Sequence, residues 1–257
     1  MIPIRDENPH LRTPYMTYIL LAAIVGTWVF VQGAGLDERS LITSICSLGM
    51  IPGELTAQVP VGYRLPIAEG VGCVIDDEPI NWLTPITSMF LHGGWAHLLG
   101  NVLFFWVFAN NIEDSMGRFR FLVFYLICGL AAAVAHVILS PASPIPTVGA
   151  SGAISGVMGA YLVLYPRVRV HMLFIFIFLI RIIPLPAWVV LLWWFALQVL
   201  TGLPELAQVD RQLSGGVAVW AHVGGFLAGV ILVKPFENEA LVRERNSVRR
   251  ALHPGHP

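Results

Sequence analysis

The stretch Phe119–Leu139, FRFLVFYLICGLAAAVAHVIL, is an apolar run of 21 residues whose one charged residue, Arg120, lies near its start. A helix needs about 20 apolar residues to cross a bilayer. The whole 257-residue chain is 56% hydrophobic and only 12% charged, with a mean hydropathy of +0.72. Soluble domains carry about 25% charged residues, and a globule of this size has too little interior to bury so much apolar surface. The composition therefore excludes a soluble enzyme and a disordered chain, and it predicts a multi-pass membrane protein.

Six apolar segments give the predicted fold class, an all-α bundle of six transmembrane helices. The predicted spans are Tyr15–Gln32, His92–Ile112, Phe119–Leu139, Ser151–Tyr165, Ala187–Leu203 and Val217–Val233. The chain thereby divides into an N-terminal segment (1–14), a membrane domain (15–233) with a long loop after the first span (33–91), and a C-terminal tail (234–257).

Two segments of this layout are not expected to span the membrane. The stretch 170–183 is apolar but short, contains Arg181 and is followed by two prolines. We therefore expect the region 170–186 to be an interfacial or re-entrant segment. The tail 234–257 is charged, and we expect it to be solvated, although its basic residues could contact anionic lipid.

The basic residues are distributed unevenly between the two sides of this layout. Twelve of the 15 Lys and Arg residues fall on one side: Arg5, Arg12, Arg118, Arg120, Arg167, Arg169, Arg181, Lys234, Arg243, Arg245, Arg249 and Arg250. Only Arg39, Arg64 and Arg211 fall on the other. Because cytoplasmic loops are rich in Lys and Arg, both termini are predicted to be cytoplasmic. Short tails without a transit peptide favour the inner (plasma) membrane of a bacterium or archaeon.

The three cysteines leave one question open. Cys46 and Cys73 both lie in the predicted outer loop, where they either form a disulfide in an oxidising compartment or stay unpaired. Cys128 lies in the middle of the third span and is interpreted as a packing residue.

Polar side chains inside the predicted spans are few, and each is costly at membrane depth. They are His97, Asn101, His136, Ser151, Ser155, Gln198 and His222. No Asp, Glu, Lys or Arg lies in the middle of a predicted span, which argues against a proton pump or a carrier of charged solutes. His136 is interpreted as a packing residue and Gln198 as an interhelical hydrogen-bonding residue.

The spacing of these residues suggests a reactive site near the outer face. His97 and Asn101 are four residues apart, so their side chains share one helix face. Ser151 begins a helix directly after the turn 147–150, where its N–H group is unpaired and the helix dipole is positive, a setting that suits a developing oxyanion. His222 lies at the start of the sixth span and can act as the base that a serine nucleophile needs.

Small residues on the fourth and sixth spans allow these two helices to approach closely. The candidate packing residues are Gly152, Gly156, Gly159, Gly225 and Gly229. No carboxylate is placed to orient His222, so the pair is predicted to be a Ser–His dyad and not a triad. Ser155, one turn deeper than Ser151, is the second candidate nucleophile. The absence of an H-E-x-x-H motif argues against a zinc protease.

Four motifs, in order, resemble those of the rhomboid family of intramembrane serine proteases, over about Trp82 to Val233. The motifs are H-x4-H-x3-N at His92, His97 and Asn101; Glu113-Asp114-x-x-Gly117; Gly149-Ala150-Ser151-Gly152; and Ala221-His222-x-x-Gly225-x-x-x-Gly229. Relatives often carry Trp-Arg in the first loop and an aromatic residue four positions after the serine. Here Leu83 follows Trp82 and the second position is Ser155, so what braces His222 is left open.

The resemblance implies that Ser151 is the nucleophile and His222 the general base. It also implies that the Ser151 N–H and the side chains of His97 and Asn101 stabilise the oxyanion. The implied partners are single-span or multi-span membrane protein substrates and membrane lipid, with no cofactor, no metal and no nucleic acid. Two alternatives stay open: a catalytically silent relative that binds membrane helices, and a small-solute transporter, which the absence of inverted repeats disfavours.

Overall fold

The computed structural model describes residues 2–68, 71–76, 79–176, 179–206 and 218–252. The helices are α1 (Tyr15–Gly26), α2 (Glu38–Leu48), α3 (Pro52–Leu55), α4 (Thr84–Thr87), α5 (Trp95–Met116), α6 (Arg118–Leu139), α7 (Ser151–Leu164), α8 (Ala187–Leu206), α9 (Val219–Phe236) and α10 (Glu239–Leu252). The strands are β1 (Ile2–Asp6), β2 (Arg64–Ala68), β3 (Val71–Val74), β4 (Arg169–Phe176) and β5 (Leu179–Pro186).

Helices occupy all six predicted spans, with bounds that differ by a few residues. Within the described residues, α6, α9 and the part Ala187–Pro204 of α8 are long and apolar enough to cross a membrane, whereas Tyr15–Val31 and α7 are shorter apolar helices. The structure therefore supports a multi-pass membrane protein, while the count of six and the side of the termini stay predictions. The predicted start of the sixth span, Val217, and the predicted outer Arg211 lie outside the described residues.

Helix α7 is the centre of the bundle and contacts α5, α6, α8 and α9. All ten of its residues from Gly152 to Tyr161 are buried. Such a helix, apolar on every side, is stable only when neighbours surround it. The end of the bundle where α7 begins is called the Ser151 end, and the opposite end is called the Tyr165 end. The active-site candidate is thus carried by the most enclosed helix of the described chain.

The loop 33–91 is ordered by a cap, a short hairpin and a disulfide. The Asp37 side chain accepts hydrogen bonds from the N–H groups of Arg39 and Ser40 at the start of α2, as an N-cap does. Strands β2 and β3 form an antiparallel hairpin. Cys73 of β3 is bridged to Cys46 of α2, so the paired alternative is the one that the structure contains. The bridge fixes the hairpin to α2.

The region 170–186 is a β-hairpin, whereas the sequence analysis predicts only an interfacial or re-entrant segment there. Strands β4 and β5 pair in antiparallel register, and β1 adds a third strand in the order β1-β4-β5. Its β-branched and aromatic residues favour extended structure. The N-terminal strand, far away in sequence, satisfies the free edge of β4, and an apolar run read alone gives no sign of that partner.

The expectation of a solvated tail is wrong at Arg245, which is only 2% exposed. The tail forms α10, and the Arg245 guanidinium donates to the carbonyl oxygen of Asn111 (2.6 Å) and lies 4.4 Å from the centre of the Tyr165 ring. The carboxylate of Asp114, 3.7 Å away, balances its charge. A buried arginine is tolerated because these partners satisfy it. The tail is therefore part of the packed Tyr165 end.

Candidate active site

The backbone before α7 is held in the shape that presents Ser151. Gly149 has a φ of +126°, a conformation that strongly favours glycine, and its N–H donates to the carbonyl oxygen of Ser88 (2.9 Å). Thr147 and Met50 exchange two backbone hydrogen bonds. The loop is thus fixed at both sides, and Ser151 becomes the first residue of α7, with an N–H group that has no partner within the helix.

Ser151 and His222 lie within hydrogen-bond distance of each other, although 71 residues separate them. Ser151 Oγ is 2.7 Å from His222 Nε2. The distance is short because α7 and α9 pack backbone to backbone: a Cβ atom at Gly225 would lie 2.0 Å from the Gly152 carbonyl oxygen, and one at Gly229 would lie 1.9 Å from that of Gly156. A larger residue at either position would force the two helices apart.

The other predicted packing glycines contact neighbouring helices as well. A Cβ atom at Gly159 would lie 2.2 Å from the Phe226 carbonyl oxygen of α9. One at Gly156 would lie 2.4 Å from the Cβ of Cys128 in α6. Helix α7 therefore uses its small residues to approach both α6 and α9.

The second ring nitrogen of His222 is also engaged. Gln198 Oε1, on α8, lies 2.8 Å from His222 Nδ1. Because a carbonyl oxygen only accepts, Nδ1 carries the proton and Nε2 is left as the acceptor for the Ser151 hydroxyl. The Trp194 ring, one helical turn before Gln198, lies 5.9 Å from the His222 ring at 40°. Helix α8 therefore braces the imidazole with an amide and an aromatic face.

His97 and Asn101 face the same cavity from α5. The Gly93 N–H donates to His97 Nδ1 (3.4 Å), which leaves Nε2 as the protonated nitrogen. A Cβ atom at Gly149 would lie only 2.6 Å from His97 Nε2, so the ring sits over the backbone beside Ser151. Asn101 is 6% exposed, and its Nδ2 finds no hydrogen-bond acceptor among the described residues. Two side-chain donors thus line the same cavity as Ser151.

These residues share one cavity of about 790 Å³ at the Ser151 end. Its polar lining includes Ser151, His222, His97 and Asn101. Its apolar lining includes Leu65 and Ile67 of β2, Ile45 of α2, Phe104 of α5, Met158 of α7 and Trp194 of α8. An apolar cleft with a few convergent polar groups is the usual form of a binding site. The disulfide-bonded hairpin contributes one wall of this cleft.

The remaining candidate polar residues of the predicted spans, Ser155, His92 and His136, are buried within the bundle. Ser155 is 1% exposed, and its hydroxyl donates to the Ser151 carbonyl oxygen (2.6 Å), as a helical serine commonly does. His92 is fully buried, packs edge-on against the His97 ring at 5.1 Å, and has its backbone N–H and C=O bonded by the Gln32 side chain. His136 is buried in α6.

The acidic pair at the end of α5 lies at the Tyr165 end. Glu113 accepts hydrogen bonds from the N–H groups of Met16 and Thr17, at the start of α1. Asp114 accepts from the N–H of Leu11 (2.9 Å). The pair thus fixes the N-terminal segment and is remote from His222. Within the described part of the chain, no group of three or more His, Cys, Asp or Glu side chains is arranged to hold a metal ion.

Comparison of the sequence with known protein families shows which family this chain belongs to. The Rhomboid domain matches residues 79–236, which run from just before α4 to the end of α9 and include every candidate site residue. The chain belongs to the rhomboid family. This confirms the resemblance drawn from the four motifs.

Individual rhomboid relatives share part of the chain. The rhomboid-family protein YdcA of Bacillus subtilis (strain 168) is 32% identical over 162 residues, covering 62% of this chain and 68% of YdcA. Rhomboid protease GluP of the same organism is 41% identical over 81 residues, 32% of this chain but only 15% of GluP. Rhomboid-like protein 11 of Arabidopsis thaliana is 28% identical over 161 residues, 59% of this chain and 51% of that protein.

One residue of the candidate site is only partly predictable from the sequence. Gln198 is a polar residue in an apolar span, but the sequence does not identify its partner. The i, i+4 spacing of Trp194 and Gln198 puts an aromatic ring and an amide on one face of α8, and this spacing is the only sequence signal that the two act on the same neighbour.

Proposed function

We propose that this rhomboid is an intramembrane serine endopeptidase that cleaves peptide bonds in or next to transmembrane segments of membrane proteins. The observation that carries the proposal is the contact of 2.7 Å between Ser151 Oγ and His222 Nε2, at the end of a buried helix and inside an apolar cleft. A serine hydroxyl is a weak nucleophile unless a base accepts its proton, and in this proposal His222 is that base.

In the proposed reaction, Ser151 Oγ attacks the substrate carbonyl carbon while its proton moves to His222 Nε2. The negative charge that develops on the substrate oxygen is stabilised by the Ser151 N–H, His97 Nε2–H and Asn101 Nδ2. His222 then gives the proton to the leaving amine, and the C–N bond breaks to leave an acyl-enzyme. Water, deprotonated by His222, hydrolyses this ester and restores the Ser151 hydroxyl.

Gln198 has a positioning role in this proposal. By accepting the Nδ1 proton it keeps the imidazole in the tautomer whose Nε2 is free to act as base. A neutral amide stabilises the protonated imidazole less than a carboxylate would. The amide is nevertheless tolerated inside an apolar helix, whereas burying a charged carboxylate there would cost free energy.

The Ser151 environment also favours a substrate that is itself a membrane helix. The cleft is formed by helices of a multi-pass membrane protein, and its walls are mostly apolar. A peptide bond within a helix is shielded by its own hydrogen bonds, so the substrate must unwind locally to reach Ser151. Segments with small or helix-weakening residues are therefore the expected substrates.

The test is cleavage of a single-span model substrate by purified protein in proteoliposomes. The wild type is compared with Ser151→Ala and His222→Ala, and each variant is expected to lose at least about 10⁴-fold in rate. Equal cleavage by wild type and Ser151→Ala would refute the mechanism. If the folded wild type binds the substrate but no substrate is ever cleaved, the chain is the catalytically silent binder of membrane helices.

A further inference from the structure

A second cavity, of about 570 Å³, lies at the Tyr165 end of the molecule. The N-terminal segment, the start of α1 and the middle of α5 form its walls, through Asp6, Asn8, Tyr18, Trp106 and Asn110 among others. Asp6 accepts a hydrogen bond from the hydroxyl of Tyr161, which follows Ser151 by ten residues, or about 15 Å, along α7. The cavity is thus separate from the cleft that holds Ser151 and His222.

One side of this cavity is polar and incompletely satisfied. The Asp6 carboxylate accepts from the Tyr161 hydroxyl and from Asn111 Nδ2 (2.7 Å), and it forms no ion pair with any described residue. Asn8 is only 4% exposed, yet neither its Oδ1 nor its Nδ2 has a hydrogen-bond partner within the described residues. A buried amide without hydrogen-bond partners costs free energy, because it has lost its bonds to water without replacing them. Asn8 therefore lacks a side-chain hydrogen-bond partner and Asp6 lacks a cation within ion-pair distance among the described residues, and a ligand could supply both.

The other side of the cavity is aromatic and belongs to the outer surface of the bundle. The rings of Tyr18 and Trp106 stack with their centres 5.9 Å apart and their planes at 20°. Both are exposed, at 40% and 52%. In a multi-pass membrane protein, aromatic rings on the outer surface of helices lie against lipid. The cavity therefore joins a polar pocket to a lipid-facing surface.

We propose that this cavity binds the primary ammonium headgroup of a phospholipid of the ethanolamine type. The ammonium group donates to the Asp6 carboxylate and to Asn8 Oδ1, Asn8 Nδ2 donates to the phosphate, and the acyl chains follow the Tyr18–Trp106 surface. A primary ammonium has three N–H donors for these acceptors, whereas a quaternary ammonium has none. An anionic headgroup would meet the carboxylates of Asp6 and Glu7. The proposal does not depend on proteolytic activity.

The test is native mass spectrometry of the purified full-length protein with three phospholipids of identical acyl chains. Their headgroups are ethanolamine, choline and glycerol, and glycerophosphoethanolamine is added as the soluble headgroup alone. The wild type is expected to retain one ethanolamine lipid at least about tenfold more tightly than the other two lipids. Equal retention of all three lipids, or binding of the soluble headgroup as tight as that of the lipid, would overturn the proposal.

Two variants locate the site and one serves as a control. Asn8→Leu removes an unsatisfied buried amide, so the lipid-free protein should be at least as stable as the wild type while the preference for ethanolamine lipid is lost. Asp6→Asn should lose the same preference. Asp37→Asn makes the same chemical change at the exposed start of α2, where asparagine also caps a helix, and should leave lipid binding unchanged. An unchanged preference in a folded Asn8→Leu protein would disprove the assignment.

Discussion

Gln198 Oε1 and Ser151 Oγ contact opposite nitrogens of the His222 ring, at 2.8 Å and 2.7 Å. Three helices, α7, α8 and α9, thus contribute one residue each to a continuous chain of hydrogen bonds. The His222 ring is held from both sides, which restricts its rotation about the side-chain bonds. The arrangement has the connectivity of a serine protease triad with an amide in the place of the carboxylate.

Replacing Gln198 should separate a positioning role from a packing role. Gln198→Met keeps the volume but loses the acceptor, and kcat should fall about 10- to 100-fold with little change in KM. Gln198→Glu offers a carboxylate that favours the protonated imidazole, so the acid limb of the pH–rate profile should move to higher pH. A residue that only packed would alter stability and leave the profile of the glutamate variant unmoved.

Ser155→Ala should leave the nucleophile intact. Its hydroxyl is buried and bonded to the Ser151 carbonyl oxygen, so the alanine variant should still react with a fluorophosphonate probe at close to the wild-type rate. Ser151→Ala should show no labelling, and the comparison is made by in-gel fluorescence of the purified proteins. Labelling that persisted in Ser151→Ala and vanished in Ser155→Ala would reassign the nucleophile.

Gly225→Ala should damage the site by moving helices, not by touching substrate. The new methyl group would lie 2.0 Å from a backbone oxygen of α7, a contact that only helix displacement relieves. We expect a loss of roughly 1–3 kcal/mol in stability and a large drop in activity. Gly26→Ala is the matched control, since its Cβ would meet one side-chain atom at 4.0 Å. Equal melting temperatures of the two variants would contradict the packing argument.

Reduction of the disulfide should loosen one wall of the cleft. The bridge from Cys46 to Cys73 closes a loop with a sequence separation of 27, which corresponds to about 3–4 kcal/mol in the chain-entropy treatment. Reductant should therefore lower Tm and raise KM, because Leu65 and Ile67 lie on the hairpin that the bridge fixes. The double variant Cys46→Ala/Cys73→Ala should resemble the reduced wild type and should not respond to reductant. A response in that variant would point to another target.

Asp6 should make stability depend on pH. Burial raises the pKa of its carboxyl from 3.8 to about 6, in spite of the Tyr161 hydrogen bond and the attraction of Arg245. Between these two values the folded protein binds more protons than the unfolded chain, so the free energy of unfolding falls as pH rises through this window and levels off above it. Thermal midpoints measured across the window should show this slope, and Asp6→Asn should flatten it. A wild-type curve without the slope would count against the burial argument.

The helices and the candidate residues Ser151 and His222 could be predicted because each has a recognisable local sequence pattern. Apolar length marks the helices, and a serine after a glycine turn marks an exposed helix start. The hairpin 169–186 and the burial of Arg245 could not be predicted from the sequence, because each depends on a partner far away in the chain. β1 completes the sheet, and Asn111, Asp114 and Tyr165 satisfy the arginine. Local sequence patterns do not predict such long-range contacts.

The brace of His222 is an intermediate case. Gln198 stands out in the sequence because an amide in an apolar helix needs a partner, but the sequence does not identify that partner. Only the packing of α8 against α9 selects His222. Likewise the sequence leaves open whether Cys46 and Cys73 are bridged, and the packing of β3 against α2 brings the two together.

The burial of Arg245 has a consequence for the order of biosynthesis. Its guanidinium donates to the carbonyl oxygen of Pro9 (3.2 Å), and its neighbour Glu244 pairs with Arg12. The contacts of the N-terminal segment with α10 therefore form only after α10 has been synthesised, because more than 230 residues separate the partners in the sequence. A protein truncated before α10 therefore leaves its N-terminal segment without those partners at the Tyr165 end.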